Sequence, residues 1–211
     1  DLEGLEADLG VVAPWIEASG SPDQQLGLLS ELISAAFRRL RYLVDGETVA
    51  LERRALDLAL RIGDPAAIAV REFSLGLALL LRDDLAEVDE HLERALSVAE
   101  ACEDELLVAR ILAYRPVLAR KRGDVERCRV AAAEALEAAE RLQLPEYVAM
   151  ATASRAWVAW RDGDAQATRD AATVATRLWD DGAFRYPFRW VALLPVLALD
   201  VEAGELLAAG A

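Results

Sequence analysis

Residues Arg82–Leu96 read RDDLAEVDEHLERAL, and both ends of this stretch return at a fixed interval. The opening phrase Arg82-Asp83-Asp84 is answered by Arg122-Gly123-Asp124 and Asp162-Gly163-Asp164. The closing phrase Arg94-Ala95-Leu96 is answered by Arg54-Ala55-Leu56, Glu134-Ala135-Leu136 and Val174-Ala175-Thr176. Ala55, Ala95, Ala135 and Ala175 are therefore spaced by 40 residues without drift. Two independent markers on one interval are the signature of a repeat architecture. Leu92, Ala95, Leu96 and Ala99 share one helical face, with Glu90, Glu93 and Arg94 turned away.

Each repeat reads as two helices. The first helices are predicted over 25–44, 66–82, 105–122, 146–162 and 187–203, and the second over 47–61, 84–101, 124–142 and 164–180. Asp84, Asp124 and Asp164 suit the starts of second helices as caps and dipole partners. Pro65, Pro145 and Pro187 suit the first turn, where an amide proton is dispensable. Gly46, Gly123 and Gly163 are expected in the tight turns between paired helices. A repeated alanine has a packing rationale, since a methyl lets the next helix approach closely. The expected fold is all-α: a right-handed superhelix of antiparallel helix pairs, one domain over 1–211. Residues 1–20 read as the tail of a preceding repeat, with Trp15 one interval before Ala55, and 187–211 as an incomplete last repeat. An array cut within a unit reads as part of a longer protein.

Composition excludes several classes of function. With 37 acidic and 23 basic residues the net charge is -14, which opposes direct binding to nucleic acid or to anionic lipid. Acidic Asp1, Glu3, Glu6 and Asp8 stand where a secretory signal needs basic residues. No apolar run reaches the length of a membrane span. Cys102 and Cys128 make no disulfide framework and are expected as small packing residues of a cytoplasmic protein. Lys121 is the only lysine, so no GxxxxGK[ST] phosphate loop can be written around another. Arginine in place of lysine, with abundant alanine, points to a GC-rich bacterial genome.

The stretch Leu75–Leu96 resembles a tetratricopeptide repeat. Leu75-Gly76, Leu79, Asp84, Val88, Leu92 and Ala95-Leu96 fall on its spacing, with leucine at its aromatic positions. Later units carry Pro116 and Ala156 in place of the glycine, and the interval of 40 exceeds the usual 34. The surplus falls in connections such as Glu103-Asp104 and Gln143-Leu144. HEAT-like repeats have this longer period and are the alternative fold. More specifically, residues 47–203 are similar to the helical-repeat region of large bacterial signalling ATPases, some linked to LuxR-type or cyclase-like domains. The phrases that carry this are Leu75–Leu81, Leu92–Glu100, 144–148 (LPEYV) and 186–190 (YPFRW). The resemblance implies a non-enzymatic scaffold or sensor region that binds a protein, a peptide or neighbouring domains of its parent chain. It carries over no catalytic residue and no cofactor. A free-standing peptide-binding receptor or adaptor is the alternative.

Candidate site residues follow from the repeat. His91 is the only histidine and is expected as a partly exposed structural residue. One histidine and two distant cysteines make no zinc set. The acidic run Glu100, Glu103, Asp104 and Glu105 lacks the alternation of a calcium loop and reads as a solvated helix boundary. An all-helical enzyme is disfavoured because ionisable residues do not converge. In superhelical arrays the first helices line the concave binding face. That places Arg110, Tyr114, Val117 and Lys121 on one first helix, Met150, Trp157, Trp160 and Arg161 on the next, and Trp190 on the last. Tryptophan with arginine suits a short partner of low charge bearing an aromatic group or a single carboxylate.

Overall fold

A computed structural model describes residues 2–182 and 189–204. Among them are ten α-helices and no strand: α1 Leu2–Ser19, α2 Pro22–Arg39, α3 Gly46–Ile62, α4 Pro65–Arg82, α5 Val88–Ala101, α6 Glu105–Lys121, α7 Val125–Arg141, α8 Pro145–Arg161, α9 Ala165–Asp180 and α10 Trp190–Glu202. They fall into two compact units, Asp1–Leu107 and Val108–Ala211. The start of the expected last helix, with Pro187, and the end of the expected last repeat lie outside the described residues.

Local chemistry sets the helix boundaries. Asp124 and Asp164 cap α7 and α9, accepting from the amides of Arg127 and Ala167 at 3.0 and 2.9 Å. Asp45 and Asp64 cap α3 and α4 in the same way. Pro65 and Pro145 open α4 and α8. Asp84 does not cap α5, which begins four residues later at Val88, after a turn over 85–87. Gly46 is not a turn residue either. It is the first residue of α3, where a Cβ would come within 3.1 Å of the Arg82 guanidinium. Ser21 and Gln24 form a reciprocal capping box at α2 that was not anticipated from the sequence.

Residues with left-handed backbone follow successive helices at Gly63, Asp83, Glu103, Gly123, Gln143 and Gly163, 20 residues apart throughout. Glycine serves three of these six positions, and at Asp83, Glu103 and Gln143 a side chain tolerates a conformation costing roughly 1 kcal/mol.

In the first unit each helix packs on the next from α1 to α5. Leu29 and Ile33 of α2 meet Ala55 and Leu58 of α3. Gly76 of α4 sits so close to α5 that an added Cβ would lie 3.1 Å from the His91 Cβ. Trp15 departs from the register: one interval before fully buried Ala55, it is 75% exposed on α1. In the second unit α8 packs against α7, α9 and α10.

All four marker alanines are fully buried, each on the second helix of a pair. Ala135→Trp should therefore overpack a helix contact and cost at least about 1–3 kcal/mol. A thermal melt checks this, and an unchanged midpoint would remove the packing role assigned to the alanine series.

Candidate functional site

The first helices of the second unit bring some of the expected residues together and bury others. Tyr114 and Trp157 are only 6% and 7% exposed, and Val117 and Met150 are buried with them. These four are core side chains, so the expectation that they line an open face is corrected. Trp157 packs with Ala119, Cys128 and Val158, where an alanine and a cysteine leave room for an indole. Trp160 is half-buried beside this cluster. Arg161, Lys121, Arg110 and Trp190 are exposed.

Arg161 is the centre of the arrangement. Its guanidinium carbon lies 5.6 Å from the Trp157 ring centroid and 5.7 Å from that of Trp160. Both distances are within cation–π range. The Trp160 indole N–H donates to Glu202 of α10 at 3.4 Å.

Arg120, absent from the sequence expectations, supports the site from below. Pro195 interrupts α10 and has no N–H for the carbonyl four residues before it, that of Val191. Arg120 donates to that carbonyl at 3.2 Å and lies 6.0 Å from the Trp157 ring. Burial pushes the Arg120 guanidinium down to about 10, so it stays charged at neutral pH. A proline on one helix and an arginine 75 positions earlier give no joint signal in sequence.

Other reactive groups are held in structural roles. Cys128 is buried, and burial pushes its thiol up to about 12, far from a nucleophilic thiolate. Cys102, expected to pack, is exposed at the end of α5. His91, expected to be partly exposed, is buried, with Nδ1 2.6 Å from the Glu72 carboxylate. Arg94 donates to the same carboxylate at 3.0 Å. Among the acids of the 100–105 run, Asp104 caps α6 through the Leu107 amide. No group of three or more potential metal ligands occurs among the described residues. No helix among them is long and apolar enough to cross a membrane.

A second concavity was not anticipated. An open groove of about 1280 Å³ runs over α8 between α7 and α9. Its lining includes Leu136, Val148, Arg155, Ala159 and Val174. Its two walls, α7 and α9, are second helices, which the sequence assigns away from the binding face.

Comparison with known proteins gives the fold and nothing finer. No family model and no curated protein matches the sequence. The chain is similar to the crystal structure of BtubC (BKLC) from P. vanneervenii, with a TM-score of 0.67 and 16% identity over 98% of this chain and 84% of that one. At this identity the likeness shows a shared all-helical architecture alone.

Proposed function

We propose that the chain is a non-enzymatic protein- or peptide-binding scaffold or sensor, the helical-repeat region of a larger bacterial signalling or transcription-regulating ATPase. On this reading its helix pairs wind into a right-handed superhelix with a period of about 40 residues. The observation that carries the reading is the placement of Arg161. It is an exposed guanidinium held at two indoles, one of them half-buried. Pre-positioned arginine donors recognise a carboxylate, and tryptophan adds contact area at low entropic cost.

The test is selection from a displayed library of short peptides, followed by titration of the best binder. The binder should have low net charge and an aromatic residue or a single carboxylate. Trp160→Ala and Arg161→Ala should each weaken it at least about tenfold while leaving the circular dichroism spectrum unchanged. Equal binding by both variants would remove this face from the reading. Magnesium-ATP titrated into the same protein should show no saturable binding, and micromolar binding would contradict the non-enzymatic assignment.

A further inference from the structure

The groove over α8 has a charge pattern that the Arg161 face lacks. Its floor and walls carry small or apolar side chains, among them Ala133 and Leu136 of α7, Ala159 of α8, and Ala171 and Val174 of α9. Along α8 the lining runs from Val148 to Asp162, about 21 Å at 1.5 Å per residue. That is the length of roughly four helical turns. Alanines on both walls let a partner backbone come close, while Leu136 and Val174 offer larger apolar contacts.

The rims are acidic. Glu137 and Glu140 line the α7 side, and Asp170 lines the α9 side. The remaining charges at this groove are largely committed. Arg129 makes two 3.0 Å bonds to Asp162, and Asp164 caps α9. Asp170 accepts from the neutral amide of Gln166, so its charge is uncompensated by that bond. Arg155 is an exposed cation on the groove lining.

We propose that this groove docks a basic amphipathic helix of another protein. The helix would lay an apolar stripe on the alanine-rich floor and set Lys or Arg against Glu137 and Glu140 on one side and Asp170 on the other. A helix-in-groove partner presents apolar anchors at i, i+3, i+4 and i+7, which suits a trough of this length. Charge complementarity selects the occupant. A second copy of this chain, at a net charge of -14, would bring like charge to an acidic rim. The inference does not depend on the Arg161 face, because Trp160 and Arg161 do not line the groove.

The probe is an 18-residue lysine–leucine peptide of helical amphipathic pattern. Its controls are a scrambled peptide of the same composition and a glutamate–leucine counterpart. Fluorescence anisotropy should show saturable binding of the first and at least tenfold weaker binding of both controls. Ala133→Trp, at an exposed wall position, should obstruct the trough and weaken the probe at least tenfold with the fold intact. A Glu137→Gln/Glu140→Gln/Asp170→Asn variant should weaken it similarly and flatten its salt dependence. Trp160→Ala should leave the probe's affinity unchanged, which separates this result from the fate of the other face. Equal binding of the scrambled peptide, preference for the acidic peptide, or indifference to both groove variants would overturn the proposal. So would a concentration-dependent dimer, seen by light scattering, that Ala133→Trp abolishes.

Discussion

Glu52→Gln should stabilise the protein at pH 8 by about 3 kcal/mol and leave it nearly unchanged at pH 4.5. Glu52 of α3 is fully buried, and among the described residues neither carboxylate oxygen has a hydrogen-bond partner. Burial pushes its carboxyl from 4.5 up to about 7, against the smaller opposing influences of Arg71 and the nearby Ser74 hydroxyl. The Ser74 group lies close enough to favour the anion slightly without making a bond of good geometry. The folded state therefore holds a proton that the unfolded chain releases near 4.5. Stability from this group is fully present below 4.5 and falls as pH rises toward 7, by about 1.4 kcal/mol per pH unit. Above 7 the loss is complete, at about 3 kcal/mol. Glutamine cannot ionise, so the variant lacks this slope. Thermal melts at the two pH values are the measurement, with a rise of roughly 6–12 °C expected at pH 8. Parallel pH dependence in variant and wild type would show that Glu52 is not the titrating group.

The 20-residue spacing of left-handed residues explains why Glu52 is unusual. Counting from Glu52 in steps of 20 gives Glu72, Leu92, Leu112, Ala132, Thr152, Ala172 and Ala192. All but Leu112 in this series are buried, and most are apolar. Two adjacent first-unit helices thus carry glutamate where later helices carry leucine, alanine or threonine. The 40-residue interval was legible because its markers are small residues with a steric reason to persist. The half-interval was not, because Asp83, Glu103 and Gln143 do in a left-handed turn what Gly63, Gly123 and Gly163 do elsewhere.

The binding face was legible only as a set of helices. Helical phase placed Trp157 and Trp160 on one side of α8, but depth depended on neighbours distant in sequence. Cys128 and Ala119 open a space that Trp157 fills, while Trp160 stays at its edge. The groove over α8 was missed for a related reason. An alanine carries no signal of its depth, and only the packing of α7 and α9 on α8 shows which alanines remain uncovered.

Glu72→Ala should destabilise the protein by about 2–4 kcal/mol at pH 7, the opposite sign from the change at Glu52. Both carboxylates are buried, but Glu72 of α4 is satisfied. It accepts from Arg94 at 3.0 Å and lies 2.6 Å from Nδ1 of His91, both on α5. Burial alone would raise its carboxyl. The hydrogen bonds from His91 and Arg94, with their charges, outweigh that and hold it below its ordinary 4.5. Its contribution is therefore present above 4.5 and lost as pH falls through the lowered value. Arg94 is half-exposed and can recover hydration, whereas His91 cannot, so most of the cost comes from the histidine side. Glu72→Gln keeps the volume and one acceptor and should recover part of the loss, but not the steepening of acid unfolding below 4.5. Denaturant melts at pH 7 and pH 3 separate these contributions. If the alanine variant lost as much stability at pH 3 as at pH 7, its effect would be a cavity alone, and the ion-paired network would have no energetic role in joining α4 to α5.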